Sequence, residues 1–303
     1  PQGVPQTGTP VFKEGDPAVP IDMTKQMTFD DGQPKKIVAG VGEYTINSDG
    51  SITFTPDKKY VGTPASVTVK RVDENGTEIR ATYTPTVTEV TPRSTNAVSS
   101  GLQGQQQSGK PIFTPGDKAV PIDMAQPMTF EDNQTTKKVD KVGTYVIESD
   151  GTITFTPDKQ YVGTPSPVTV KRVDTNGTEV TATYTPTVTR VTPTSTNAES
   201  TGLQGQPQSG KPTFSPGDQQ IPIDMSKAMT FENGTDTLVV ADQGTYTINS
   251  DGSITFKPEK KFTGKATPVK VKRVDTNGTE VTATYTPTVE EVIPNATGDQ
   301  TEG

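Results

Sequence analysis

Hydrophobic and polar residues alternate along short segments of this chain, and the alternation predicts β-strands. In residues 43–55, Tyr44 and Ile46 share one face with Ile52 and Phe54, and the positions between them are polar. This period of two is the repeat of an extended strand. No segment shows a sustained apolar stripe at a 3.6-residue period, and proline recurs too often for long helices. The chain is therefore predicted to be all-β.

The turn within residues 48–50 joins the first pair of predicted strands. A two-residue turn would place Ile46 opposite Thr53, which mixes core and solvent positions on one face of the sheet. A three-residue loop instead places Ile46 opposite Ile52, with Gly50 in the left-handed conformation of a G1 bulge. We predict the three-residue loop.

The second predicted hairpin turns at an Asn-Gly pair, residues 75–76, which is the strongest short hairpin signal. A type I′ turn there pairs Val72 with Ile79. Keeping the core residues further along the hairpin opposite one another then requires one extra residue. We place it as a β-bulge in which Lys70 and Arg71 jointly oppose one partner residue.

The whole pattern recurs every 101 residues, as the equivalent positions Phe12, Phe113 and Phe214 show. This period is too long for a solenoid, whose units run about 20–50 residues, so each copy is expected to close its own core. The predicted modules are 1–101 (folded over 8–91), 102–202 (folded over 109–192) and 203–303 (folded over 210–294, then a tail). The Ser/Thr/Asn/Gly-rich stretches 92–101 and 193–202 are predicted to be linkers.

Each copy is predicted to contain about six or seven short strands in two sheets packed face to face. The inward positions of copy 1 are Phe12, Ile21, Phe29, Tyr44, Ile46, Ile52, Phe54, Val67, Val69, Val72, Ile79 and Tyr83. Burying one such side chain contributes roughly 1.5–3 kcal/mol, so a dozen offset much of the cost of ordering the chain. The predicted fold is all-β, with three tandem β-sandwich modules of about 101 residues arranged as an elongated array.

Composition narrows the chemistry that the chain can perform. Histidine, cysteine and tryptophan are absent, which removes disulfides, thiolate metal sites and histidine acid–base catalysis. No carboxylate pair or glycine-rich phosphate loop stands out, so no catalytic, cofactor-binding or metal-binding residue is predicted, and the protein is not expected to be an enzyme. A net charge of −8 disfavours nucleic-acid binding, and no apolar run is long enough to span a bilayer.

Two recurring acidic positions, Asp16 and Asp22, are candidate calcium ligands beside the alternative of Asx-turn hydrogen bonding. Calcium takes six to eight oxygen ligands, and no dense acidic loop is present. Asx turns beside Gly15 and Pro17 are therefore the preferred interpretation. The equivalent residues are Asp117, Asp123, Asp218 and Asp224.

Lys70 and Asn75 are two further candidates for covalent chemistry. Lys70 and its equivalents Lys171 and Lys272 invite comparison with Lys–Asn isopeptide bonds, but the predicted outward position favours a solvated lysine. Asn75-Gly76-Thr77 matches the N-glycosylation acceptor, which the turn already explains.

Several motifs together resemble the CshA-type fibril repeat of Gram-positive surface adhesins. In copy 1 they lie at residues 8–12, 17–22, 42–46, 49–56, 69–73 and 81–87. The resemblance covers almost the whole chain in all three copies. It implies an extracellular location on the bacterial cell wall, in an array cut from a longer protein whose adhesive region lies elsewhere.

The function that the resemblance implies is that of structural spacer, or stalk, repeats in a cell-wall-anchored adhesive fibril. Partners would then be neighbouring repeats in the same chain, together with host surface or matrix proteins reached through the parent adhesin. The alternative is that the repeats are weak multivalent adhesin modules that bind a host matrix protein or glycan. Exposed aromatic anchors would favour this alternative, but only 6% of residues are aromatic and most occupy inward positions.

Overall fold

The structure is a computed structural model that describes residues 1–301, and none of these residues lies in a helix. Copy 1 contains β1 (Gln6–Gly8), β2 (Thr28–Phe29), β3 (Lys35–Val38), β4 (Gly42–Ile46), β5 (Ile52–Pro56), β6 (Val67–Val72) and β7 (Glu78–Tyr83). Copy 2 contains β8 (Arg93–Thr95), β9 (Ala97–Leu102), β10 (Gln107–Gly109), β11 (Ile112–Thr114), β12 (Thr129–Phe130), β13 (Thr136–Val139), β14 (Gly143–Ile147), β15 (Ile153–Pro157), β16 (Val168–Val173) and β17 (Glu179–Thr189).

Copy 3 repeats this order with one additional short strand. Its elements are β18 (Thr194–Thr196), β19 (Ala198–Leu203), β20 (Gln208–Gly210), β21 (Thr213–Ser215), β22 (Thr230–Phe231), β23 (Thr237–Val240), β24 (Gly244–Ile248), β25 (Ile254–Pro258), β26 (Gly264–Lys265), β27 (Val269–Val274) and β28 (Glu280–Glu290).

Each copy is built from two sheets. In copy 2 one sheet has the order β10-β15-β14-β13 and the other β12-β16-β17-β9, while β8 and β11 form a separate ribbon. Copy 3 has the same two sheets, with β26 added beside β28. In copy 1 the sheets are β1-β5-β4-β3 and β2-β6-β7. The predicted fold class, three tandem β-sandwich modules in an all-β chain, is confirmed.

Aromatic residues from both sheets fill the core of each module. In copy 2, Tyr145 stacks on Phe155 with ring centroids 4.5 Å apart and meets Tyr184 of the other sheet edge-on at 6.2 Å. All three side chains are fully buried. Offset and edge-on pairs of this kind add to the free energy of burial.

Most core positions predicted for copy 1 lie inside the module. Six are buried, namely Phe29, Tyr44, Ile52, Phe54, Val67 and Val69, and the remaining six are partly buried. Met27, Val87 and Val90 are also buried and are not predicted by the alternation, because they lie in short or irregular segments.

The first hairpin has the predicted register. Ile46 pairs with Ile52, and the N–H of Asn47 donates to the Ser51 carbonyl at 2.8 Å. Gly50 has φ 84°, the left-handed conformation that a three-residue loop requires.

The second hairpin differs from the prediction. Val72 pairs with Glu78 rather than with Ile79, and the ladder continues to the end of the hairpin without a bulge. The loop is again three residues long, closed by the Asp73 N–H, which donates to the Thr77 carbonyl at 3.1 Å. The predicted two-residue turn and its bulge are wrong, because the Asp73 carboxylate accepts two loop amides and holds the chain in the longer loop.

The two predicted linkers are strands. In residues 92–101, β8 pairs with β11, and β9 runs parallel to β17 over six residue pairs, from Tyr184 with Ala97 to Thr189 with Leu102. Residues 193–202 do the same through β18 and β19. The linker interpretation is wrong because the main chain of a polar segment pairs with a sheet edge as readily as that of an apolar one.

These strands place the start of a folded module earlier than predicted. Copy 2 begins at β8, whose first residue, Arg93, lies nine residues before the predicted boundary at 102. Within residues 1–301, β7 of copy 1 pairs with β6 and has no parallel partner equivalent to β9.

The junction between modules as the candidate functional site

The turn of the second hairpin in each following module forms one half of the junction. In copy 2 the Asp174 carboxylate accepts the N–H groups of Asn176 at 2.9 Å and Thr178 at 2.7 Å. Gly177, at φ 76°, completes the turn. Asp174 and Asn176 are buried, at 1% and 6% exposure, because this turn faces the preceding module.

The Gln-Gly loop at the start of the preceding copy forms the other half. The Gln2 N–H donates to the Thr88 carbonyl at 2.8 Å, and its side-chain amide donates to the Lys58 carbonyl at 2.8 Å. Its side-chain oxygen accepts the Val90 N–H at 3.3 Å. Gln2 therefore joins three parts of its own module while remaining 6% exposed.

One buried hydrogen bond connects the two halves directly. The Asn176 Nδ2 donates to the Gln2 carbonyl oxygen at 2.9 Å. Gly3 follows at φ 73°, and a Cβ atom there would lie 2.0 Å from the Asn176 Oδ1. Only glycine therefore permits both the backbone conformation and the close approach of the asparagine.

Two lysines of copy 1 reach the outer carbonyls of the same turn. The Lys58 Nζ donates to the Thr175 carbonyl at 2.8 Å, and the Lys59 Nζ donates to the Gly177 carbonyl at 2.7 Å. These ammonium groups satisfy carbonyl oxygens that the hairpin leaves unpaired, so the turn is held at its centre and at its rim.

The same contacts recur between copies 2 and 3. The Asn277 Nδ2 donates to the Gln103 carbonyl at 2.8 Å, and the Lys159 Nζ donates to the Thr276 carbonyl at 3.1 Å. Gln160 replaces the second lysine and donates to the Asn277 carbonyl. The two junctions thus share the asparagine hydrogen bond and the first lysine contact, and they differ in the acceptor of the second rim contact.

The turn of copy 1 and the Gln-Gly loop of copy 3 show the two halves without a neighbouring module among residues 1–301. Asn75, the copy 1 equivalent of Asn176, is exposed. Gly205, the copy 3 equivalent of Gly3, keeps φ 74°, and a Cβ atom added to it would meet no atom within 4 Å. The burial of the turn is therefore produced by the neighbouring module and not by the hairpin itself.

The covalent connection at the junction is short and packed. Val90 is buried in copy 1, and β8 of copy 2 begins at Arg93. Thr91 lies against Gly116 of copy 2, where an added Cβ atom would be 2.4 Å from the Thr91 carbonyl oxygen. The connecting residues are thus part of the contact surface.

The candidate calcium ligands form Asx turns. The Asp16 Oδ1 accepts the Ala18 N–H at 2.8 Å, and the Asp22 Oδ1 accepts the Thr24 N–H at 2.9 Å. The hydrogen bond from the Thr24 hydroxyl, with that of its amide, holds the pKa of Asp22 below its usual value. Within residues 1–301, no group of three or more acidic side chains is placed to hold a metal ion.

Lys70 lies beside a carboxylate on the outer surface. Its Nζ is 3.1 Å from the Glu78 Oε1, and this hydrogen bond lowers the pKa of Glu78. Lys171 and Lys272 make the same pairs with Glu179 and Glu280. These lysine side chains are half-buried, and each is paired with a glutamate.

The glycosylation sequence is part of the junction. In copies 2 and 3 its asparagine is 6% exposed and donates its amide to the preceding module. From the sequence, Asn75 and its equivalents are interpreted as turn residues only. The sequence feature that marks the other half of the junction is the Gln-Gly pair at the start of every copy, because the backbone carbonyl of this glutamine accepts the hydrogen bond.

Comparison with known proteins defines the class of protein. Residues 1–87, 89–188 and 190–289 each match the family model for the surface adhesin CshA repetitive domain. The fold and these matches define a repeat region of a surface adhesin. The chain belongs to the CshA repeat family.

Solved structures include similar proteins. The NMR structure of repeat domain 13 of the fibrillar adhesin CshA from Streptococcus gordonii is 60% identical, over 23% of this chain and 91% of that one, with a TM-score of 0.15. Mouse cadherin-23 EC22-24 is 13% identical over 95% of this chain and 93% of that one, with a TM-score of 0.34. The I9-I11 tandem of titin is 12% identical over 96% and 95%, with a TM-score of 0.31. A search of the curated proteins gave no significant match, and residues 1–301 contain no helix that could cross a membrane.

Proposed function

We propose that these modules are spacer, or stalk, repeats of a cell-wall-anchored bacterial adhesive fibril, without catalytic activity. The observation that carries the proposal is the repeated junction. Asn176 and Asn277 make the same buried hydrogen bond to the preceding module, at 2.9 and 2.8 Å. A stalk needs each module to fix the direction of the next, and a polar contact with one geometry does so.

The short connection supports the same function. With two strands in place of each predicted linker, little free chain remains between modules to act as a flexible tether. A repeated stiff unit projects whatever lies beyond it away from the surface. Host surface or matrix proteins would then be bound by other parts of the parent adhesin.

Solution scattering of the whole chain tests the geometry. A compact protein of this length has a radius of gyration of about 19 Å. We expect a clearly larger value and a distance distribution with repeated maxima, which are typical of beads in fixed positions. A value near the compact one would refute the stalk.

A second candidate, direct weak binding, is favoured by a groove that recurs in every copy. In copy 1 it is lined by Val11, Phe12 and Met23, and Met23 is 72% exposed. Met124 and Met225 are equally exposed at 70% and 72%. A binding screen of the chain against matrix proteins and glycans, with M23A, M124A and M225A combined as the control, separates this role from that of a spacer.

A further inference from the structure

The first and last strands of each complete module lie side by side and run in the same direction. In copy 2, β9 is the first strand of the sandwich and β17 the last, and they pair in parallel from Ala97 with Tyr184 to Leu102 with Thr189. In copy 3, β19 and β28 pair in the same way over six residue pairs. The chain enters and leaves each module through these two strands.

This arrangement decides how a pulling force would act on the module. Tension along the chain draws the beginning of β9 in one direction and the end of β17 in the opposite direction. Because the strands are parallel, the force runs along the ladder and loads all of its hydrogen bonds together. An antiparallel pair with adjacent ends would instead open one bond at a time.

Side chains extend this ladder at its beginning. The Asn96 Oδ1 accepts the Thr183 N–H at 2.8 Å, and the Ser94 hydroxyl donates to the Thr181 carbonyl at 2.5 Å. These side-chain hydrogen bonds take the place of backbone hydrogen bonds in the segment before β9, which is not paired with β17 as a strand. The loaded segment thus begins before β9.

At its far end the ladder continues into the junction. The Gln103 N–H donates to the Thr189 carbonyl at 2.8 Å, and its side-chain oxygen accepts the Val191 N–H at 3.2 Å. The Gln103 carbonyl accepts the amide of Asn277 from the next module. One residue therefore joins the end of one ladder to the following module.

We propose that the parallel pairs β9–β17 and β19–β28 are force-bearing clamps that keep each module folded while the fibril is under tension. The proposal rests on the stalk function, because only a tethered protein experiences such a load. Copy 1 provides an internal comparison, since β7 has no parallel partner among residues 1–301. Its Tyr83 is only partly buried, whereas Tyr184 and Tyr285 are fully buried.

Single-molecule force spectroscopy of the whole chain, held between marker domains, tests the proposal. Each unfolded module of about 100 residues adds roughly 330–360 Å of contour length. We expect two events at high force, from copies 2 and 3, and one at low force, from copy 1. Three events at one force would overturn the clamp.

Matched proline variants identify the bonds that bear the load. Backbone direction alternates along a strand, so the Ser99 N–H points towards β17, as the Gln103 N–H does, whereas the Ser100 N–H points to solvent. S99P should lower one of the two high-force events to the level of copy 1, and S100P should leave both unchanged. S99A keeps the backbone hydrogen bond but removes the Ser99 hydroxyl, which lies 2.6 Å from the Tyr184 hydroxyl, and so measures the contribution of that hydroxyl separately. Equal effects of S99P and S100P would contradict the proposal.

Changing the direction of the force tests the clamp without a folding defect. Because the chain has no cysteine, the double variant V98C/T185C provides two attachment points that lie directly opposite each other, one on β9 and one on β17. Force across the pair should peel β9 away at much lower load than force along the chain. Equal resistance in both directions would refute the clamp, whereas the scattering profile tests the stalk independently.

Discussion

Replacing the junction asparagine should uncouple two modules without unfolding either of them. In N176A, the Gln2 carbonyl loses the hydrogen bond that Asn176 donates at 2.9 Å. The donor residue and Gln2 are each 6% exposed, so water does not readily replace the lost partner. A buried acceptor left unpaired costs about 1–3 kcal/mol, which corresponds to roughly a 5- to 150-fold shift from docked to undocked modules.

The first copy supplies the control for this experiment. N75A makes the same change in the equivalent turn, but Asn75 is exposed and makes no hydrogen bond to another module within residues 1–301. Its effect should stay within about 0.5 kcal/mol. The difference between N176A and N75A therefore measures the junction and not the hairpin.

Single-molecule fluorescence transfer between dyes on E14C and E131C reports the docking, because Glu14 and Glu131 are exposed and belong to copies 1 and 2. Measured across urea concentrations below those that melt the modules, the undocking midpoint should fall in N176A and remain unchanged in N75A. Equal midpoints in the three proteins would refute the argument that this bond orients the modules.

Three other perturbations test the junction, the core and the acidic turns. G104A should undock copies 2 and 3, because its Cβ atom would lie 2.0 Å from the Asn277 Oδ1. G205A is the control: Gly205 has nearly the same φ but no atom within 4 Å of an added Cβ, so this variant should cost only about 1–2 kcal/mol of backbone strain. Urea unfolding and solution scattering compare the two variants. Burial raises the pKa of Tyr44 to about 12. The contribution of this shift to the free energy of unfolding is therefore complete below pH 10 and is lost as the pH rises through 12, at about 1.4 kcal/mol per pH unit. In denaturation measured as a function of pH, Y44F should flatten this loss of stability. Calcium or a chelator should leave the melting temperature and the scattering profile unchanged, because the carboxylates of Asp16 and Asp22 are occupied by turn amides.

The strands that alternate clearly could be predicted from the sequence, whereas those held by their main chain alone could not. The register of Ile46 with Ile52 followed from the requirement that facing residues share a side of the sheet. Residues 97–102 contain Ser, Ser and Gly, bury little beyond Ala97 and therefore resemble a linker in composition. Their pairing depends on an open edge supplied by a strand more than 80 residues away, which no local pattern reveals.

The junction escaped prediction for a related reason. A turn sequence such as Asn176-Gly177 is fully explained by its own hairpin, so no unexplained residue remained to indicate a partner. The Asp and Asn of this turn are buried in copies 2 and 3, whereas Asn75 of copy 1 is exposed. The difference lies in the neighbouring module and not in the turn.

The polar character of the junction has a consequence for an array of nearly identical modules. An apolar patch at each module end would join any two modules in many orientations, including side by side. Here the contact consists of directional hydrogen bonds around one asparagine, and the left-handed glycine opposite it excludes every larger residue. Buried polar contacts contribute little net free energy of association but strongly penalise wrong geometries, because each misplaced donor or acceptor stays unpaired. Such a junction adds little attraction between separate chains, while the covalent connection brings the correct partner to it at high effective concentration.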